Sequence, residues 1–166
     1  MTRLALLAVS FLLNTCTGTP STPGSGDGGI PRGGAVVQDG IEYRGDVLVM
    51  ESFPVQIRGN VTITNRGSET RELWFPDGCV ALLRAYRAGG SEPVWDQGSE
   101  LACTMAIVPM TLAPGESKEV GTPTSSARDI LGDGLPDGSY RITIYLRPQN
   151  GRVEVEGGTA ELAIPR

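Results

Sequence analysis

Apolar and polar residues alternate along several short segments of this chain of 166 residues. In residues 55–64, the apolar side chains and Gly59 fall on one face, and the polar side chains fall on the other. The same period of two recurs in residues 140–146 and 153–164. A period of two is typical of a β-strand with one buried face. We predict five further strands, at residues 41–50, 71–75, 80–86, 106–112 and 118–122.

Turns rich in Gly, Pro and Asp separate these short strands, which indicates an all-β fold. We predict an immunoglobulin-like antiparallel β-sandwich of about seven to nine strands. Asn150-Gly151 predicts a type I′ turn in a hairpin between the last two strands. Tyr140 begins a strand after a Pro-Asp-Gly turn, where a tyrosine hydroxyl often closes a corner by bonding to the preceding backbone. Residues 125–131 are compatible with one short helical turn.

The first residues have the features of a bacterial export signal. A positively charged start precedes an apolar run, residues 4–13, which is too short to span a bilayer as a helix. Leu13-Asn14-Thr15-Cys16 resembles the lipobox, in which the cysteine becomes lipidated. We therefore predict lipidation of Cys16 and an exported protein of the cell envelope, anchored in the periplasm or at the cell surface. The alternative is ordinary signal cleavage just after Cys16, followed by secretion.

Composition divides the chain into three segments. Residues 1–16 read as a signal peptide with a lipobox-like end, and residues 41–166 as one folded domain. Residues 17–40 are rich in Gly, Ser, Thr and Pro, and such segments bury too little apolar surface to offset the entropy of ordering. We predict that they form a flexible tether between a membrane anchor on Cys16 and the domain.

Charge and residue content narrow the range of functions. The net charge is −5 and basic residues do not cluster, so nucleic acid is not expected as a partner. The chain has no histidine, and Lys118 is its only lysine, which removes Ser-His and Cys-His catalysis and histidine-bearing zinc sites. The 19 acidic residues have no spacing that marks an acid–base pair. We therefore predict no enzyme, no cofactor and no metal site.

Cys79 and Cys103 form an even pair in a chain that carries an export signal, which predicts a disulfide bond. Trp95 lies between them, but their separation is much shorter than that of the cysteines of antibody domains. We therefore expect the bridge to join neighbouring strands or to pin a loop. A two-cysteine metal site is the competing interpretation, although the chain offers no histidine or third thiolate to complete it.

Four segments, taken in order, resemble the BsuPI-like domain, the intracellular proteinase inhibitor family of bacilli and its exported bacterial relatives. They cover about residues 55–146 and read "VTITNRGSETRELWF", "GSEPVWD", "LAPGES" and "LPDGSYRITIYL". The resemblance implies an immunoglobulin-like sandwich for residues 41–166 and, by the family's name, inhibition of serine proteinases. The cysteine pair and the export signal depart from the family pattern.

Two functions follow as hypotheses. A proteinase inhibitor would present a rigid loop to a protease, and the candidate residues are Ser99, Glu100, Leu101 and Ala102, with Leu101 entering a subtilisin-like pocket. Alternatively, Leu101 covers the edge of the core beside the disulfide.

The second hypothesis is an envelope-anchored module that binds another protein or a glycan without inhibition, for which Trp74 and Phe75 are the aromatic candidates. Because neighbouring residues of a strand point to opposite faces, we expect at least one of these two aromatics in the core.

Overall fold

The computed structural model describes residues 33–164, which form eleven β-strands and two short helices. The helices are a 3₁₀ helix (Gln97–Ser99) and α1 (Ala127–Leu131). The strands are β1 (Ala35–Gln38), β2 (Ile41–Met50), β3 (Gln56–Asn65), β4 (Arg71–Phe75), β5 (Ala81–Arg87), β6 (Trp95–Asp96), β7 (Val108–Leu112), β8 (Ser117–Gly121), β9 (Ser125–Ser126), β10 (Gly138–Leu146) and β11 (Val153–Leu162). The predicted signal peptide, Cys16 and most of the predicted tether lie outside the described residues.

The strands form three antiparallel sheets. The first sheet has the order β1-β2-β3-β8, with β9 also paired to β3, and the second has the order β11-β10-β5-β6. β4 and β7 form a third, two-stranded sheet. The first two sheets pack face to face: a Cβ at Gly59 in β3 would lie 2.9 Å from side-chain atoms of Ile144 and Leu83 in the second sheet. The predicted all-β sandwich is confirmed.

Most of the core consists of inward-facing strand residues, and α1 adds Ile130 and Leu131. In β3, Ile57, Val61 and Ile63 are fully buried, and in β10 the same holds for Ile142 and Ile144. Burial of this apolar surface is the main force that holds the two sheets together.

Eleven strands are more than the predicted seven to nine, because β1, β6 and β9 have only two to four residues each. These strands are too short for an alternation to be visible. β1 also corrects the predicted end of the tether at residue 40, since Ala35–Gln38 pairs with β2. Asp39 (φ 52°) and Gly40 (φ 77°) link the two strands as a two-residue turn, which an Asp-Gly pair favours because both positions need a positive φ.

The hairpin of β10 and β11 is confirmed, but its predicted turn is wrong. The ladder ends at the pair Leu146 and Val153, and the Gly151 N–H donates to the Pro148 carbonyl at 3.0 Å. Asn150 is therefore an inner residue of the turn with Gln149, rather than with Gly151. Pro148 has no N–H to extend the ladder, so the strands part earlier than a two-residue turn requires.

Two local predictions are confirmed. The Tyr140 hydroxyl donates to the Pro136 carbonyl at 2.6 Å and closes the corner before β10. The predicted helical turn is α1, which begins with a capping box between Ser126 and Asp129. Within residues 33–164, no helix is both long and apolar enough to cross a membrane.

Candidate functional site

The connection between β6 and β7, residues 97–107, contains the predicted binding residues. It begins with the 3₁₀ helix, and residues 101–107 belong to no helix or strand. We call residues 97–107 the connecting loop. It leaves the second sheet beside β5 and enters the two-stranded sheet at Val108, which pairs with Phe75.

Gln97 fixes the start of the connecting loop. Its side chain is buried, with only 2% of the residue exposed. The side-chain oxygen accepts the N–H of Leu83 at 3.0 Å, and the side-chain nitrogen donates to the Pro123 carbonyl at 2.9 Å and to the Ser125 hydroxyl at 2.8 Å. Gln97 thereby joins β5 of the second sheet to the residues that precede and begin β9 in the first.

A disulfide bond fixes the loop further along. Cys79 and Cys103 are bonded, with their Cα atoms 5.5 Å apart, so the predicted bridge is confirmed. Of the two roles expected for it, the bridge pins a loop, since neither cysteine lies in a strand. Beside it, the Gly78 N–H donates to the Thr104 carbonyl at 3.0 Å, and a Cβ at Gly78 would collide with the Thr104 hydroxyl. A disulfide is compatible with an exported protein.

Asp77 is the third potential metal ligand beside these cysteines. One oxygen atom from its carboxylate and the two sulfur atoms lie within 4.8 Å of one another. The carboxylate accepts the Cys79 N–H at 2.9 Å and the Arg147 guanidinium at 2.9 Å. With the disulfide formed, the sulfurs are not thiolates, and thiolates are what a metal ion requires.

The four predicted binding residues lie together in the first half of the loop, and all are exposed. Glu100 accepts the indole N–H of the buried Trp95 at 2.8 Å. The Leu101 N–H donates to the Gln97 carbonyl at 3.2 Å, and Leu101 is 39% exposed. Ser99 and Ala102 complete the segment. Glu100 and Leu101 are therefore folded back onto the domain.

The second half of the loop exposes larger apolar side chains, which the sequence analysis missed. Met105 is 96% exposed, more than any other large apolar residue within 33–164, and Ile107 is 63% exposed. The available signal was an uncharged stretch of ten residues, 101–110, that contains one of the predicted disulfide cysteines. Contiguous exposed apolar surface often marks a binding site.

A surface groove of about 530 Å³ adjoins the end of the connecting loop. Its apolar lining includes Ile107, Trp74, Pro76 and Pro148. Trp74 is 42% exposed, whereas its neighbour Phe75 is 1% exposed and belongs to the core. The expectation that at least one of the two aromatics is buried is confirmed.

The outer side of the second sheet carries a cluster of polar and aromatic residues. We call it the polar face, and its members are Arg84, Tyr86, Asp96, Thr143, Tyr145 and Glu154. Glu154 accepts the hydroxyls of Tyr86 and Thr143 at 2.6 and 2.7 Å, and the guanidinium of Arg84 at 3.3 Å. Asp96 accepts the Tyr145 hydroxyl at 2.8 Å and the Nε–H of Arg84 at 2.7 Å. The two carboxylates therefore share one arginine.

These contacts determine how the polar face titrates. Burial raises the pKa of Glu154, but the hydrogen bonds from Tyr86 and Thr143 and the charge of Arg84 outweigh it, so the pKa lies below its ordinary value. Burial likewise raises the pKa of Asp96, and hydrogen bonds led by that of Tyr145 outweigh it and lower the pKa. Burial raises the pKa of Tyr145 to about 12, and its bond to Asp96 acts in the same direction. Both carboxylates are held in the ionised form.

Comparison with known proteins identifies no family. No model of a known protein family matches the chain, and no curated protein matches it. Among solved structures, the chain is similar to a β-D-glucoside glucohydrolase from Trichoderma reesei, with 17% identity and a TM-score of 0.41. The match covers 74% of this chain and 19% of that protein. A similarity of this size indicates neither a family nor an activity.

Proposed function

We propose that this protein is a non-catalytic inhibitor of serine proteases that binds its target through the connecting loop. The observation that carries the proposal is an exposed loop, uncharged from residue 101 to residue 107, whose backbone is held by a disulfide at Cys103 and by the buried side chain of Gln97. A loop that is ordered before binding avoids the entropy cost of being ordered on binding. The resemblance of residues 55–146 to the BsuPI-like domain supports the same function.

The polar face supports a non-catalytic role. A general acid or base needs a pKa near the working pH, but the pKa values of Asp96 and Glu154 are shifted away from neutrality. Both carboxylates are also engaged by Arg84 and by tyrosine hydroxyls. The cluster joins β5, β6, β10 and β11, and we assign it to the stability of the sheet.

The cell envelope is the proposed location. The disulfide fits an oxidising compartment, and the lipobox-like segment ending at Cys16 would hold the domain at a membrane surface. A Cys16→Ser variant should leave the membrane fraction of the cells and appear in the soluble exported fraction. Retention of this variant in the membrane fraction would contradict anchoring through Cys16.

A titration of proteases tests the function. The full chain, produced with its disulfide formed and kept soluble in a mild detergent, is added to subtilisin, chymotrypsin and trypsin, and residual activity and chain mass are followed. We expect near-stoichiometric loss of activity of at least one protease, with the inhibitor chain uncut. Full activity of all three at about tenfold molar excess would overturn the proposal.

A second candidate is an envelope-anchored module that binds another protein or a glycan without inhibition. The groove beside Trp74 favours it, because exposed aromatic side chains are frequent contact residues at binding surfaces. Recovery of one specific partner from membrane extracts, lost with Trp74→Ala and retained with Met105→Asp, would support this candidate. The same partner recovered with both variants would count against it.

A further inference from the structure

The geometry of the connecting loop distinguishes two of its exposed apolar residues, Leu101 and Met105. Leu101 lies between Gln97 and Cys103, and its N–H is used in a bond to the Gln97 carbonyl. A peptide that binds in an extended form needs its main-chain N–H groups to pair with the partner. Leu101 is therefore poorly placed to enter a protease cleft.

Met105 occupies a different position. Only Met105, Ala106 and Ile107 separate Thr104, whose carbonyl accepts the Gly78 N–H, from Val108, which begins β7. The residues on both sides of this short span are fixed, by the disulfide at Cys103 and by the pairing of β7 with β4. Within residues 33–164, a positive φ occurs only at Asp39 and at glycines outside the connecting loop, so this span has a negative φ throughout, as an extended chain requires.

The chemistry around Met105 selects the class of partner. Residues 101–110 carry no charge, and Ile107 continues the apolar surface into the groove that Trp74 lines. A pocket that selects lysine or arginine places a carboxylate opposite the side chain, and methionine leaves that charge unpaired. An apolar pocket instead buries the exposed thioether side chain and gains its transfer free energy.

We propose that Met105 is the residue that enters the specificity pocket, and that the target is a protease whose pocket is apolar. This inference rests on the proposed inhibitory function. Ile107 and the groove beside Trp74 then contact the protease on the C-terminal side of Met105. The disulfide holds the N-terminal side of the span.

Inhibition constants of matched variants test the inference. We compare the wild-type full chain with Met105→Asp, Met105→Lys and Leu101→Asp against subtilisin, chymotrypsin and trypsin. We expect Met105→Asp to weaken inhibition of subtilisin or chymotrypsin by about 100-fold or more, and Leu101→Asp to change it by less than about threefold. Met105→Lys should gain inhibition of trypsin, because the lysine meets the carboxylate of that pocket.

Unchanged inhibition by Met105→Asp, or a loss confined to Leu101→Asp, would overturn the assignment of Met105 while leaving the inhibitory function intact. Mass spectrometry distinguishes the other case, in which the inhibitory function fails, by the position at which the protease cuts the chain. If the wild-type chain does not inhibit but is first cut between Met105 and Ala106, the inhibitory function is wrong and the assignment of Met105 to the pocket is supported. A first cut elsewhere, without inhibition, overturns both.

Discussion

The polar face lies on the second sheet and the connecting loop begins where β6 of that sheet ends, yet the two regions are built in opposite ways. In the polar face, Glu154 alone accepts hydrogen bonds from Tyr86, Thr143, Arg84 and Arg152. The span of the loop around Met105 exposes apolar side chains and is held at its two sides. The region with the most titratable side chains is therefore the one in which these side chains already bond to one another.

This contrast indicates which region of the domain is free to bind another molecule. A carboxylate that already accepts several hydrogen bonds must lose them before it can bind another molecule. An exposed methionine on a fixed backbone has no hydrogen bonds to give up; it loses water and side-chain freedom when it is buried against a partner. We therefore assign stability to the polar face and recognition to the loop, and four measurements can contradict or refine this division.

Removing the disulfide should have the largest effect. In the Cys79→Ser/Cys103→Ser variant, the bridge with a sequence separation of 24 is lost, and the chain-entropy model gives a loss of about 3 to 4 kcal/mol in unfolding free energy. Urea unfolding measures this loss, with Cys16→Ser as the control that removes a cysteine outside the bridge. An unfolding free energy equal to that of the control would show that the loop does not depend on the bridge.

Gln97→Ala should have the second-largest effect on the unfolding free energy. It leaves the buried Leu83 N–H without its side-chain partner and removes the hydrogen bonds to the Pro123 carbonyl and the Ser125 hydroxyl, and we expect a loss of about 2 to 3 kcal/mol in unfolding free energy. Gln149→Ala, at an exposed position, is the matched control and should stay within about 0.5 kcal/mol of wild type. Equal effects of the two variants would contradict the role of Gln97 as the anchor of the loop.

Acid should reduce the contribution of the polar face to the unfolding free energy, and Glu154→Gln should remove part of this pH dependence. Because the folded pKa of Glu154 is lowered, the unfolded chain takes up its proton first as the pH falls. Stability is thus present above the ordinary carboxyl pKa and is lost as the pH falls through the lowered folded value. Glu154→Gln should cost about 1 to 2 kcal/mol at neutral pH and lose less stability than wild type between about pH 5 and 2.5.

Denaturant unfolding at each pH checks this prediction, and Glu161→Gln, exposed on the same strand, is the control. The control should keep the stability and the acid sensitivity of the wild type. If Glu154→Gln and Glu161→Gln have the same pH profile, the carboxylate of Glu154 does not stabilise the sheet in the way described.

The smallest effect is expected for the stability of Met105→Asp. Met105 is 96% exposed, so the unfolding free energy of the Met105→Asp variant should stay within about 0.5 kcal/mol of wild type. Thermal unfolding of this variant and of Leu101→Asp measures it. A loss of more than about 1 kcal/mol for Met105→Asp would mean that Met105 packs against the domain, and recognition by an exposed side chain would lose its basis.

Local patterns predicted most of the fold, because a buried strand face leaves a period of two in the sequence. The bounds of β2 and β4 follow directly from it, and the Tyr140 corner follows from a turn beside a strand. β6 and β9, with two residues each, are too short to leave such a pattern. Asp39-Gly40 marked a turn that the sequence analysis placed in the tether.

The site was harder to predict, because its residues are defined by distant partners. Gln97 is an anchor only because Leu83 and Ser125, 14 and 28 positions away, approach it in the fold. Sequence placed the binding residue at Leu101, the large apolar residue before Cys103. The exposure of Met105 depends on how the disulfide and β7 hold the chain on either side of it.

The most direct test of the recognition claim is calorimetry of the wild-type full chain with subtilisin, with the active-site serine either open or blocked by a small sulfonyl group that fills the specificity pocket. We predict one-to-one binding to the open enzyme and a loss of at least about 100-fold in affinity for the blocked enzyme, because Met105 competes for the same pocket. Equal affinity for the two forms, or binding to neither, would contradict recognition through the loop.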